Sequence, residues 1–192
     1  MFMTRQHGLS IIELLVFIVV VGIAVTGVLQ VYSKTSSTSA DPMIRKQAMA
    51  VAESLLEEVL SKPYTYCDPD DAQADTATGA FIGPTGCATT IEALGPETAQ
   101  GEDRYLNTTP YDNVNDYNNF NMPANPGPGI IGLDGVAVPG LIMYSALIQV
   151  RDAGAFNGIP AGNTLLVTVT VTGPGNQSIV LTGYRTRYAP TL

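Results

Sequence analysis

The sequence predicts an α+β protein in which a long N-terminal helix packs its outer half on a small antiparallel sheet, and three patterns predict it. Residues 9–31 form an apolar run, residues 43–62 place apolar side chains at helical spacing, and residues 141–192 alternate with the period of strands. Between helix and sheet, residues 63–140 are rich in Gly, Pro, Asn, Asp and Thr and predict turns and loops with brief strands. A chain of 192 residues suits one modest domain plus an appendage.

Composition removes several function classes before any motif is read. With 9 Lys+Arg against 17 Asp+Glu the net charge is −8, the wrong sign for attraction to a phosphate backbone, so no nucleic-acid partner is expected. One histidine, His7, and two cysteines are too few for a structural zinc site, and they supply no base for a Ser-His-Asp or Cys-His nucleophile. The protein is therefore not expected to be an enzyme. The acid is concentrated: residues 63–135 hold eleven Asp and Glu against Arg104 alone.

The first element runs from Leu9 to Val31, 23 residues whose only charge is Glu13. At about 1.5 Å per residue such a helix is roughly 35 Å long, enough to cross a bilayer. A secretory signal peptide would carry a shorter apolar core and a small-x-small cleavage site, and neither is present, so the segment is expected to be retained. Arg5 places the N-terminus on the cytoplasmic side and the rest of the chain across the membrane. Hydropathy alone describes a single-pass anchor. Glu13 adds a constraint, because a carboxylate within an apolar membrane helix costs on the order of 2.5–3.5 kcal/mol at the bilayer centre and needs a partner. Lys34 is too distant along the helix, and Arg5 would have to fold back through the headgroups. The simplest cation is a new α-amino group made by cutting between Gly8 and Leu9 and presented by a neighbouring subunit.

Residues 33–40 are weak helix formers, and Asp41-Pro42 supplies an N-cap residue followed by proline at the first helical position, so a kink or break is expected there before a new helix. Ile44, Ala48, Val51, Leu55 and Val59 then form an apolar stripe suited to packing on a sheet, and Pro63 ends the helix at Lys62.

Cys67 and Cys87 lie 20 positions apart on the expected extracytoplasmic side, where disulfides persist, and are expected to be bonded. Two acidic runs stand out within the loops. Asp68, Asp70, Asp71 and Asp75 form one, and Asp112, Asn115, Asp116 and Asn118 the other. Both offer the hard oxygen ligands that Ca²⁺ takes, with Asp68, Asp70, Asp71, Asp112 and Asp116 as the candidate ligands, but neither matches an EF-hand loop, and a solvated acidic surface has the same composition. No other cofactor is expected.

In the last third, Ala146, Ile148 and Val150, then Leu165, Val167, Val169 and Val171, then Ile179 and Leu181 mark one apolar face of three strands. The turn Gly173-Pro174-Gly175-Asn176 joins the last two as an antiparallel hairpin, with Arg185 and Arg187 near an edge.

Gly8-Leu9-Ser10-Ile11-Ile12-Glu13-Leu14-Leu15, after a short basic leader, resembles the class III leader junction of type IV prepilins and type II secretion pseudopilins. That resemblance implies cleavage after Gly8 by a prepilin peptidase, N-methylation of Leu9, which stands where Phe is usual, and assembly through Glu13 paired with a neighbour's N-terminal amine. It also implies a pilin-like fold. The stretch ADPMIRKQAMAVAESLLEEV is similar, more narrowly, to minor pilins of the mannose-sensitive haemagglutinin (MSHA) pilus, the MshD group, with patches continuing at 66–71 and 111–117.

The resulting organisation is a leader at 1–8, a transmembrane and assembly helix at 9–32, an outer amphipathic helix at 33–62, a loop-rich region at 63–140 and a sheet at 141–192. The function expected from the resemblance is that of a minor, structural subunit of an MSHA-like pilus. It would sit as a single-pass protein in the bacterial inner membrane with its C-terminal domain in the periplasm, then in a surface pilus. Its partners would be prepilin peptidase, other pilin subunits, the assembly platform and, before assembly, lipid. The alternatives are a minor type II secretion pseudopilin, or a tip adhesin that binds through Tyr64, Tyr66, Tyr105, Tyr111, Tyr117 and Phe120 in the 63–140 loops.

Overall fold

The computed structural model describes residues 10–97 and 99–187, with backbone alone for 34–41. The fold is α+β, and the chain forms two compact units, residues 1–43 and 44–192. Helix α1, Ile11–Leu60, gives its first part to one unit and its last part to the other.

In the first unit, Ile11–Ser33 is long and apolar enough to cross a membrane, and none of it is buried within the protein. Ile11, Phe17 and Val28 are 84%, 64% and 70% exposed, so the segment has no core of its own in which to hide from water. The Thr26 hydroxyl, a polar group within this run, donates back to the carbonyls of Gly22 (2.7 Å) and Ile23 (2.9 Å), which satisfies it within the helix. The break expected at Asp41-Pro42 does not occur: α1 continues through Pro42. Proline removes one i→i−4 hydrogen bond but fixes φ near the helical value, so a helical course can persist past it. The outer helix is thus not a separate element.

The helix ends at Leu60 rather than Lys62, three residues before Pro63. Its last turn tightens, with Lys62 N–H donating to the Val59 carbonyl (3.1 Å) and the Ser61 hydroxyl to the Glu58 carbonyl (2.6 Å).

In the second unit four strands form an antiparallel sheet in the order β1-β2-β3-β4: β1 Asn121–Met122, β2 Ser145–Asp152, β3 Thr164–Gly173 and β4 Gln177–Thr186. The register sets Ile148 opposite Val169 and Val169 opposite Leu181, so the apolar face foreseen in each strand is continuous across the sheet. Ala48, Ala52, Leu55 and Val59 from the helix bury against Ala146, Ile148, Val150, Leu165, Val167, Val169 and Val171. Val51, on the expected stripe, is only half-buried, and Ala52 takes the central place. Gly183 lets the helix approach β4, since a Cβ there would come within 2.7 Å of Leu60 Cδ1.

Residues 141–144, expected to begin a strand, form a turn instead, closed by Tyr144 N–H to the Leu141 carbonyl (3.1 Å). Tyr144 is buried there because its ring packs in the core while its hydroxyl donates to Gln47 Oε1 on the helix (2.6 Å). Between Pro63 and Gly140 the described residues contain only β1, one 3₁₀ turn at Asn115–Tyr117 and isolated bridges, in keeping with the composition.

Ile148 is fully buried between helix and flanking strands. Ile148→Ala is expected to lower unfolding stability by about 2–5 kcal/mol, through lost transfer energy and an unfilled cavity. Denaturant unfolding of the detergent-solubilised full chain measures it; a loss under about 0.5 kcal/mol would contradict this packing.

Candidate functional site

Cys67 and Cys87 are joined by a disulfide with their Cα atoms 5.4 Å apart. A loop of this size contributes roughly 3 kcal/mol on the chain-entropy account. Next to it, a bridge pairs Cys67 with Ile91, and Glu92 N–H donates to the Tyr66 carbonyl (3.1 Å). These contacts bring the chain after residue 91 alongside Asp68.

Asp71 fixes the neighbouring loop. Its Oδ1 accepts from the N–H of Gln73 (2.8 Å) and Ala88 (2.9 Å), and its Oδ2 from the N–H of Thr89 (2.7 Å) and Thr90 (2.9 Å). Burial alone would raise its pKa, but these four donors outweigh that and hold the carboxyl well below the usual carboxylate range. Both oxygens are occupied, so Asp71 organises backbone and drops out of the ligand set expected from sequence. Asp75 is exposed, and Asn118 is taken up by β2, its Oδ1 accepting from Val150 N–H (3.1 Å).

Asp68, Asp70, Asp112 and Asp116 do converge, and they are joined by three residues that sequence reasoning missed: Glu92, Glu97 and Glu102. Ligand oxygens lie within 4.8 Å of one another in three groups, Glu92–Glu97–Asp116, Asp68–Glu97–Glu102 and Asp68–Asp70–Asp112. Three backbone stretches hold them. Asp116 Oδ2 accepts from the N–H of Asp112 (2.9 Å) and Asn113 (2.7 Å). Glu97 Oε1 accepts from Ala93 N–H (3.0 Å), and Glu97 N–H donates to Glu102 Oε2 (3.1 Å). Gly95 N–H donates to the Asn115 carbonyl (3.0 Å), which ties the second stretch to the third, and the Asn113 amide reaches Thr65 Oγ1 (2.7 Å), which ties the third to the first.

The electrostatics of this pocket are one-sided. Asp68, Asp116 and Glu97 are 2%, 1% and 9% exposed. Burial, reinforced by the surrounding carboxylates, pushes Glu92 up to about 10, Glu102 to about 8, Asp112 to about 7 and Asp116 to about 6. Arg104, the base nearest in sequence, is not available, because both its Nε and Nη2 donate to Glu58 (2.7 and 2.6 Å). Lys62 lies near enough for its charge to favour ionised Asp112, but among the described residues Glu58–Arg104 is the ion pair that forms. Several oxygens in the pocket are buried with no hydrogen-bond partner among the described residues: both of Glu92, Glu97 Oε2, Asp112 Oδ1 and Asp116 Oδ1.

Of the six loop aromatics offered as contacts, Tyr117 is buried and the other five are half-buried, and all six have partners within the fold. Tyr117 is buried and donates its hydroxyl to Glu58 Oε1 (2.8 Å), with the rings of Tyr111 and Phe120 edge-on at 5.1 and 6.3 Å. Tyr105 and Phe120 lie against the Arg104 guanidinium at 5.3 and 5.4 Å. Tyr64 and Tyr66 take Arg187, which follows β4, at 4.0 and 3.7 Å from their ring centroids.

At the other end of the chain, Glu13 lies exposed in the first turn of α1, and none of the described residues pairs with its carboxylate. Gly8 and Leu9, the expected cleavage and N-methylation sites, lie outside the described residues. Comparison with protein-family models, curated proteins and solved structures finds no match to this chain.

Glu92, Glu102, Asp112 and Asp116 all hold a proton more tightly folded than unfolded. Their joint contribution to stability is therefore complete below the ordinary carboxylate range and is lost as pH rises through about 6 to about 10. Metal-free protein is expected to melt at progressively lower temperature as pH rises from about 5 to about 9. A melting temperature that rises over this interval would contradict the burial of these acids.

Proposed function

We propose that this chain is a minor pilin, a structural subunit of an MSHA-like type IV pilus, cut after Gly8 and packed into the filament or its initiating complex by its N-terminal helix. The observation that carries the reading is Glu13, a single carboxylate four residues after Leu9 within an apolar run that the fold leaves wholly exposed. An exposed helix of this kind is stable in lipid or among other such helices, and a charge within it is tolerated where a fixed countercharge meets it. The α-amino group of a neighbouring subunit's Leu9 supplies that charge at the right depth, so subunits docked out of register leave Glu13 unpaired and are disfavoured.

Other features support the same reading. The outer part of the helix packs on an antiparallel sheet, a layout consistent with pilins, and the disulfide suits a periplasmic domain. Gly22 and Gly27 present open helix surface, where a Cβ would meet nothing within 4 Å, and so permit close helix approach. A type II secretion pseudopilin would share the leader and helix; the 40–59 stretch similar to MSHA minor pilins favours the pilus. An adhesin role through the loop aromatics is less favoured, since those rings are engaged within the fold.

Glu13→Gln separates assembly from insertion. The variant is expected to be processed and retained in the membrane as the wild type is, while its amount in sheared surface filaments falls at least about tenfold, the effect of losing roughly 1.4 kcal/mol or more of docking energy. Wild-type incorporation of Glu13→Gln would overturn the assembly role of this residue.

A further inference from the structure

We propose that the acidic pocket is a Ca²⁺ site, with Glu92, Glu97 and Asp116 as its inner ligands and Asp68 and Glu102, grouped around the same Glu97, completing the shell. Clustered acid alone would not carry this, since solvated acidic surfaces are common. What singles out this pocket is that Glu92, Glu97 and Asp116 each keep at least one buried oxygen with no hydrogen-bond partner among the described residues. Asp116, 1% exposed, spends Oδ2 on two backbone N–H groups and leaves Oδ1 with no partner among the described residues. Glu97 does the same, with Oε1 on Ala93 N–H and Oε2 left over, and Glu92 leaves both oxygens. A buried carboxylate oxygen with no donor is among the costliest groups a fold can hold, and Glu92, Glu97 and Asp116, which form one of the three groups, leave four of them.

The geometry suits a cation of the calcium class. Two oxygens bound to one Ca²⁺ at about 2.4 Å lie at most about 4.8 Å apart, and the oxygens of each inner group fall within 4.8 Å of one another. No histidine or cysteine belongs to any of the three groups, so the donor set is hard oxygen throughout, which disfavours zinc and other soft-ligand metals. Five carboxylates from three irregular stretches cannot readily form the compact octahedron of Mg²⁺, whereas Ca²⁺ accepts six to eight oxygens in adaptable geometry. Asn115, 7% exposed with an unpartnered Oδ1, borders the pocket as the residue before Asp116. Asp70 and Asp112 belong to the outer group, where Asp68 Oδ1 already accepts from Asp70 N–H (2.7 Å), so they are placed around the site rather than at its centre.

The backbone supports a binding role. Asp71 and the disulfide secure the 67–90 loop, and the Asn115 carbonyl secures Gly95, so the three ligand-bearing stretches are fixed by groups that are not themselves ligands. The metal would then join loops already placed, and its charge would relieve the mutual repulsion of the acids. This inference does not rest on the pilus reading, since it concerns the 44–192 unit and its test needs no filament.

The test is titration of chelator-stripped, detergent-solubilised full chain with CaCl₂, followed by isothermal calorimetry and by melting temperature, with MgCl₂ as comparator. Saturable Ca²⁺ binding with Kd of about 100 µM or tighter, a melting temperature raised by Ca²⁺ and a Mg²⁺ response at least about tenfold weaker are expected. Glu97→Gln and Asp116→Asn should each weaken Ca²⁺ binding at least about tenfold, and Asp75→Asn, an exposed acid outside the groups, should leave it unchanged. Both pocket variants remove a like charge, so they should melt at or above the wild-type temperature without metal, which separates loss of a ligand from loss of fold. Absence of saturable binding up to about 5 mM CaCl₂, or equal affinity in wild type and Glu97→Gln, would overturn the assignment.

Discussion

The ion pair between Glu58 and Arg104 is the joint on which the irregular half of the protein depends. The residues between Pro63 and Gly140 have little regular structure of their own, and this pair joins them to the last turn of the helix. Glu58 receives two hydrogen bonds from the guanidinium and one from the Tyr117 hydroxyl, while Arg104 also donates to the Ile131 carbonyl (3.1 Å) and lies on Tyr105 and Phe120. With the Arg104 side chain 3% exposed and Glu58 13%, removing one partner would strand the other's charge in the interior, a loss of about 3–5 kcal/mol for buried pairs of this kind. The same joint has an electrostatic consequence. It spends the single basic residue of the 63–135 stretch on the helix, so the acids of that stretch gather without it. Fastening the loops and leaving the acidic pocket without the Arg104 charge are two results of one placement.

The two units meet opposite solvent demands with one helix. From Ile44 onward its apolar stripe is covered by the sheet and the remaining face is polar, as in a water-soluble domain. From Ile11 to Ser33 apolar side chains are exposed all round, as in a membrane span or a bundle of helices. Assembly through such a segment would replace lipid by neighbouring helices at little hydrophobic gain, so register would have to come from polar pairing, and Glu13 is the group available for it.

Sequence reading succeeded where one physical rule acts locally. The strands are legible because burial of a single face enforces alternation, as in Leu165, Val167, Val169 and Val171 against Leu166, Thr168 and Thr170. Cys67 and Cys87 are legible because they are the two cysteines of the chain. The same reading erred where distant contacts decide. Nothing near Asp71 in sequence foretells that residues 88–90 will bring three N–H groups to its carboxylate, and nothing near Glu97 foretells that it will group with Asp68 and with Asp116. The available signal was the spacing of Glu92, Glu97 and Glu102 in a stretch where Arg104 is the one base, which marks charge that the fold must accommodate. Tyr117 was misplaced for a related reason: its partner Glu58 lies 59 residues away. At Pro42 the error was of another kind, since a residue that can begin a helix can also be carried within one.

A chain that is processed as a prepilin and enters a filament by its new N-terminus must first lose residues 1–8. Intact and N-terminal peptide mass spectrometry of the protein, from membranes of cells with and without prepilin peptidase, tests it most directly. A mature chain that begins at Leu9, with or without an added methyl group, is expected in cells that have the enzyme and not in cells that lack it. A chain that keeps Met1 to Gly8 in both would rule out prepilin processing and leave a single-pass anchored domain whose Glu13 must find another partner.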